Sequence, residues 1–421
     1  MKLIHLSVLF CVVAGCRAYV PAPVDWAQER AAWAEASAVP ARLTLADAKR
    51  CALFLNPEIN ALRVRHLASS NAVLQTGWWD DPEFGVDALR FLRSTPHAWI
   101  VDSTLAFTIP INGVPALERR AAGAYAFADA CTVIVAEREL MATIERAWHQ
   151  RLNVLERHQF LSDTLRLFEG ERETVKQLVA AGELNAREEA TLQLDVSRMK
   201  AELRNLALAI ETQRLSLMQL TGLHPSVPVM FDDAGNDAAD LPAPTEDMLL
   251  RHPNVQEKLA RLDASEADLR TEIRRQYPNL TIGPALAHEE GTARAGLTFG
   301  MTLPLWNRNR KAVAEAEGAR QQARIEAVNE WKRLVGELAL AKETLRLAEE
   351  NERQCRETEL PAALQSCDSI RQLYDAGEAD ITALLAALQT SAESRLNGLD
   401  AKQALKEAQI TLSQFAEHME D

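Results

Sequence analysis

Residues 294–304 read RAGLTFGMTLP, and the run that follows, from about Ala312 to Tyr374, contains one proline, Pro361. In the first stretch Ala295, Leu297, Phe299, Met301 and Leu303 alternate with Arg294, Gly296, Thr298, Gly300 and Thr302. A period of two belongs to a strand with one apolar and one polar face. The second stretch carries Leu334, Leu338, Ala341 and Leu345 at helical spacing. About 60 helical residues span roughly 90 Å, far more than a compact domain needs. A short two-faced strand running into a very long helix is the pattern that any fold for this chain has to explain.

The same pattern occurs earlier. Trp99, Val101, Leu105, Phe107 and Ile109 alternate with Asp102, Thr104, Ala106 and Thr108. A proline-free helical run from Ala116 to Leu178 then carries the stripe Leu140, Ile144, Trp148, Leu152 and Leu155. Punctuation residues recur at a nearly fixed offset: Asn56-Pro57 with His252-Pro253, Pro82 with Pro278, Pro110 with Pro304, and Ala181-Gly182-Glu183 with Ala376-Gly377-Glu378. The chain is therefore a duplication. Each half reads as a medium helix, two strand-like runs, a very long helix, a glycine turn and a second helix. The fold class is mainly α with a small β part. The first repeat covers 43–221, with strands at about 82–92 and 98–110. A Pro-, Gly- and Asp-rich linker covers 222–245. The second repeat covers 246–421, with strands at about 278–288 and 294–304. Leu280, Ile282 and Leu286 support the third strand, whereas 82–92 alternates irregularly.

The first fifteen residues form a signal peptide: Lys2, an apolar run from Leu6 to Val13, then Ala14 and Gly15. Val13-Ala14-Gly15-Cys16 resembles the bacterial lipobox, which implies cleavage before Cys16, its acylation, and a lipidated linker over 16–42. Simple cleavage beside an ordinary cysteine is the alternative. Cys51, Cys131, Cys355 and Cys367 form no CxxC pair, so zinc and thioredoxin-type sites are unsupported. On one continuous helix Cys355 and Cys367 stand about 18 Å apart, too far for a disulfide unless Pro361 breaks it sharply.

The charge balance, 46 Lys+Arg against 60 Asp+Glu, makes the chain a poor electrostatic partner for nucleic acid. The basic turn Arg308, Arg310 and Lys311 suits water or lipid phosphates better. No GxSxG, HExxH, Walker loop or dinucleotide fingerprint occurs. His288-Glu289-Glu290 lacks the second histidine of a zinc motif and is expected in a strand-connecting loop with Gly291. His149 and His158 fall on different helix faces. No catalytic residue, cofactor or metal ligand is expected, and the chain does not read as an enzyme.

Two or even four strands leave open edges that lipid does not tolerate, so several chains must share one barrel. Here the sequence resembles the TolC family of outer-membrane efflux channels over nearly the whole mature chain. Leu43-Thr44-Leu45-Ala46-Asp47-Ala48 with Asn56-Pro57-Glu58-Ile59 is similar to the family's first helix. Met301 to Arg310, MTLPLWNRNR, is similar to its exit from the last strand, especially in cobalt-zinc-cadmium-type cation-efflux members. The resemblance implies a homotrimer with four strands per chain in a shared trimeric twelve-stranded β-barrel, over a long periplasmic α-helical barrel. It also implies a periplasmic adaptor protein and an inner-membrane pump as partners, met at tips formed by Gly182, Glu183, Gly377, Glu378 and Asp380. Some members carry acids two to three turns past the second tip glycine, where this chain has Ala383 and Ala386, so an acidic ring from Glu183, Glu378 and Asp380 stands beside the plainer reading of solvated first-turn residues.

Leu297, Phe299, Met301 and Leu303 are the expected lipid-facing side of the last strand. Trp78, Trp79, Tyr277 and Trp306, at the helix–strand junctions, suit either headgroup anchoring or core packing. The function expected is passive conduction of a pump's substrate to the exterior, metal cations before small toxic organics and protein export third. A lipid-anchored periplasmic coiled-coil scaffold without a pore is the alternative.

Overall fold

The computed structural model describes residues 19–90, 99–232, 244–289 and 292–416, so the signal peptide and Cys16 lie outside the described residues. In the first repeat, α2 (Leu45–Leu55) and α3 (Pro57–Gln75) precede β2 (Glu83–Arg90) and β3 (Trp99–Ile109). The hairpin α4 (Val114–Ala180) and α5 (Ala186–Thr221) follows. In the second, α6 (Glu246–Leu249) and α7 (Pro253–Arg274) precede β5 (Leu280–Glu289) and β6 (Thr292–Met301). The long arm then comes in two pieces, α8 (Arg310–Gln354) and α9 (Leu360–Asp375), and returns through α10 (Ile381–Ala416).

Between α8 and α9 five residues, Cys355–Glu359, adopt π-helix. The Leu360 N–H bonds the carbonyl of Cys355, five residues back. Pro361 is the physical cause at hand, because it offers no N–H to the carbonyl four residues before it. The arm bulges but does not break. Cys355 and Cys367 are buried free thiols, as is Cys131, while Cys51 is half-buried.

Two segments expected as linkers contain regular structure in their described residues. The stretch 16–42 contains α1 (Trp26–Ala36), whose amino end is capped by Asp25, and then β1 (Arg42–Leu43). The stretch 222–245 contains β4 (Met230–Phe231), which pairs in parallel with β1. Trp33 Nε1 donates to the Gly222 carbonyl at 2.7 Å, and the His224 N–H donates to Ser37 Oγ at 2.9 Å, tying α1 to the linker. Around this ladder lies a core of Leu43, Leu45, Ala52, Ile144, Trp148, Leu217, Leu223 and Phe231. Each large aliphatic or aromatic side chain fully buried there contributes roughly 1.5–3 kcal/mol. A second core, Phe168, Val175, Leu192, Val196, Ile381 and Leu384, joins the far ends of the two helical hairpins. A third packs α8 through Leu334, Leu338 and Ala341 against Leu249, Val255 and Phe415.

Polar bonds fix the helix order. Arg63 on α3 meets Glu137 on α4 at 2.6 Å, Lys402 on α10 meets Glu156 on α4 at 2.8 Å, and Gln389 on α10 donates to Asp195 on α5 at 2.8 Å. Among the described residues no helix is long and apolar enough to cross a membrane.

Candidate conduit and tips

The four long strands form one antiparallel sheet in the order β2-β3-β5-β6. The central pair joins the two repeats. Register separates the faces over most of the sheet. Ile109, Leu280 and Met301 lie in one cross-strand row, Phe107, Ile282 and Phe299 in the next, and Phe84, Leu105 meet in a third where Pro284 faces Leu297. On the opposite face one row runs Asp87, Asp102, Ala287, Arg294, and others contain Gly85, Thr104 and Ala285, or Thr108, Thr281 and Gly300. One face is therefore mainly apolar and the other mainly polar or small, with Leu89 and Ile100 the exceptions on the polar face and Ser103 and His288 on the apolar one. Every residue of the edge strands β2 and β6 is exposed, including Phe84 at 71% and Phe299 at 66%. A monomer in water would thus present apolar sheet surface and two unpaired edges.

At the sheet's centre Gly283 is required by space. A Cβ built there would stand 1.8 Å from the Leu105 carbonyl oxygen. Pro284 follows, and the β3–β5 ladder is interrupted between Thr104–Ala285 and Phe107–Ile282. A proline inside a central strand is tolerated at such an interruption. The strand bounds differ from expectation at one end: β6 stops at Met301, so Leu303 lies beyond it although it too is exposed. The chain turns there because the Leu305 N–H bonds back to the Leu303 carbonyl at 2.9 Å and Pro304 has no N–H for a ladder. His288 and Glu289, expected in a connecting loop, instead close β5 opposite Ala293 and Thr292.

Trp78, Trp79, Tyr277 and Trp306 all sit within a few residues of the sheet's base, and each is more than half exposed. Tyr277 also accepts a bond through its carbonyl from Asn112 Nδ2 at 3.3 Å. At the opposite end Arg90 lies over the Trp99 ring, 5.8 Å from its centroid.

The tips are two copies of one device. Gly182 and Gly377 both have φ of +79°. The Gly182 N–H bonds the Val179 carbonyl and the Glu183 N–H bonds that of Leu178; at the second tip Gly377 bonds Tyr374 and Glu378 bonds Leu373. This is the paired 6→1 and 5→2 closure of a helix end, which needs a left-handed residue where glycine is the cheapest choice. The next helix is capped by Asn185, whose Oδ1 accepts from the Arg187 N–H, and at the second tip by Asp380, whose Oδ1 accepts from the Ala383 N–H. Both glycines, Glu183, Glu378 and Asp380 are exposed. The equivalence of Asn185 and Asp380 was missed by sequence reasoning, although their spacing of 195, the same as for the glycines, is its signal.

Burial sets two unusual protonation equilibria in the helical part. Desolvation, followed by a hydrogen bond to Asp268 at 2.8 Å, pushes the Tyr125 hydroxyl up to about 12. Desolvation and the Arg138 charge push His252 down to about 4, and its neutral Nδ1 accepts the Asn254 N–H at the head of α7. Among the described residues no group of three or more His, Cys, Asp or Glu side chains is placed to hold a metal ion.

The chain is thus a two-faced sheet with open edges, set on long helical hairpins that close in glycine turns. Residues 245–416, essentially the second repeat, match the model of the outer membrane efflux protein family. The chain is similar to the cobalt-zinc-cadmium resistance protein CzcC of Cupriavidus metallidurans, with 24% identity over 228 residues, 52% of this chain and 54% of that protein. The aligned part thus spans about half the length of that relative. The fold matches a membrane protein from Pseudomonas aeruginosa, with a TM-score of 0.78 and 16% identity over 88% of this chain and 93% of the other. It also matches the outer membrane protein VceC of Vibrio cholerae, with a TM-score of 0.76 and 14% identity over 88% and 96%.

Proposed function

We propose that three copies of this chain share one twelve-stranded β-barrel in the outer membrane and that the long hairpins continue it as an α-helical barrel into the periplasm. The observation that carries this reading is the four-stranded sheet, apolar on one face and polar on the other, with β2 and β6 unpaired. In lipid each edge needs a partner, and β6 of one copy on β2 of the next supplies it without a further element. Strands of 8 to 11 residues suit an apolar band crossed at a tilt. The rows of Phe299, Met301 and Leu297 then meet lipid, and those of Asp87, Asp102 and Arg294 line the water-filled lumen. The exposed ring of Trp78, Trp79, Tyr277 and Trp306 suits anchoring at the headgroups. A scaffold without a pore would have no use for an apolar sheet face.

Conduction in this reading is passive, with energy from an inner-membrane pump. The glycine tips meet a periplasmic adaptor, with Glu183, Glu378 and Asp380 facing it, and Cys16 carries an acyl anchor. Metal cations are the favoured cargo, because the relative is a cobalt-zinc-cadmium resistance protein, and small toxic organics come second. The test is deletion of the gene followed by growth in cobalt, zinc, cadmium, copper and silver. Increased sensitivity rescued by the wild-type chain and lost with Leu297→Arg on the lipid face is expected. Unchanged sensitivity to all five metals would end the cation reading.

A further inference from the structure

A cleft of about 470 Å³ opens beside the base of the sheet, between the carboxyl end of α7 and the amino end of α4. Arg270, Ile273 and Arg274 line it from one side and Ile111, Asn112 and Leu117 from the other. Arg270 and Arg274 are four residues apart, hence on one helix face. Both are exposed, and neither has a carboxylate partner among the described residues. The acids nearby are already engaged. Glu118 and Glu272 hold Arg275 at 2.8 and 2.6 Å, and Glu272 also accepts from Asn309 at 2.7 Å. Asn112 is spent on the Tyr277 carbonyl and the Val114 N–H. The helix dipole accounts for a cation in the last turn of α7, which is Arg274, but not for Arg270 one turn earlier.

Beside these two cations the wall is apolar and open to the outside: Ile111 is 64% and Ile273 40% exposed. Two guanidinium forks match the oxygens of a phosphate bidentately, and an adjoining apolar wall matches an acyl chain. The cleft residues lie two to ten positions from the first ladder pair, Ile109 and Leu280. If the sheet spans the membrane, as proposed above and on which this inference rests, that is the headgroup level of the periplasm-facing leaflet. We propose that the cleft binds the phosphate of an anionic phospholipid through Arg270 and Arg274, with the acyl chains against Ile111 and Ile273. Inorganic phosphate shares the charge chemistry but leaves the apolar wall unused.

The test uses the full-length protein extracted from outer membranes in detergent and stripped of lipid, titrated with phosphatidylglycerol or phosphatidylcholine and read by native mass spectrometry. Wild type should take up phosphatidylglycerol at an approximately tenfold lower concentration than phosphatidylcholine, a difference of about 1.4 kcal/mol. Arg270→Gln with Arg274→Gln should abolish the preference at unchanged oligomeric mass, and the paired change to lysine should keep part of it. Equal uptake of both lipids by wild type, or an unchanged preference in the glutamine variant, would overturn the proposal. So would complete displacement of the lipid by millimolar inorganic phosphate, which would make free phosphate the ligand. Should the double variant fail to assemble, Arg270→Gln alone decides in the same way. Failure of the channel reading would show separately, as wild-type protein released from membranes by an alkaline wash.

Discussion

The two repeats agree at their ends and differ in their middles. Both close the tip with the same glycine-centred pair of bonds, and both contribute two strands to one sheet. In between, α4 runs unbroken for 67 residues, whereas the second arm has a π-helical stretch before Pro361. Trp148 on α4 is buried against Phe231, with rings 5.5 Å apart. Glu343, 195 residues further on, is exposed and pairs with Arg346 at 2.7 Å. The amino ends of α3 and α7 carry related caps of different chemistry: Asn56 accepts from Glu58 and Ile59, and His252 from Asn254. The shared parts are the sheet strands and the closed tip, those that the proposed conduit uses. The divergent parts are where the first repeat alone packs on the β1–β4 ladder.

The largest break in the comparison comes from the strands. Gly283 and Asp87 are equivalent by the 196-residue offset, yet β5 is central and β2 an edge, so only the first is pressed by a neighbouring backbone. Gly283→Val should cost several kcal/mol and abolish the assembled oligomer in membranes. Asp87→Val should leave assembly intact, which native gels of membrane extracts would register.

Next comes the buried tryptophan. Trp148→Ala should destabilise the protein by about 3–5 kcal/mol, while Glu343→Ala should stay within about 0.5 kcal/mol, as urea melts would measure. Equal effects would mean that the ladder region does not support the first arm.

The caps sharpen the contrast in pH. The folded chain holds His252 neutral down to about 4, against an ordinary value of 6.5. The unfolded chain therefore takes up the proton first, so stability falls as pH drops from about 6.5 towards 4 and levels off below. The loss is on the order of 3 kcal/mol. Arg138, Glu330 and Arg333 are the charges around the ring. His252→Asn, copying the first repeat, should flatten this slope in melts across that range. An unchanged slope would move its origin to another group.

The smallest and most symmetric effect belongs to the tips. Nothing within 4 Å opposes a Cβ on Gly182 or Gly377, so only the positive φ resists substitution. Gly182→Ala and Gly377→Ala should each cost roughly 1 kcal/mol, and by the same amount. Gly222→Ala should cost more, because a Cβ there would also meet the Leu55 carbonyl at 2.6 Å.

Features with a short period or a local chemical cause were legible in the sequence. The alternation in 294–304 and 99–110, the stripe through Ile144 and Trp148, and the repeated Ala-Gly-Glu all map onto elements of the structure. The strand around Phe84 looked irregular because Leu89 falls on the polar face with Asp87 and Gly85. What was not legible depends on pairing at long range. The adjacency of β3 and β5, the demand on Gly283, and the two-residue strands β1 and β4 have no local period. The helix α1 lay in a segment expected only to link, and at Pro361, where the readings were one continuous helix or a sharp break, the arm absorbs the lost donor as π-helix. The cleft beside Arg270 combines two helices from different repeats, and no motif announces it.

The central claim is that the open sheet is completed only by other copies of the chain. Its most direct test is the native mass, in detergent, of protein extracted from purified outer membranes, for the normal chain and for Cys16→Ser. Three chains per particle, membrane-retained in both, is the predicted result. A soluble monomer or dimer on losing Cys16 would contradict the shared barrel.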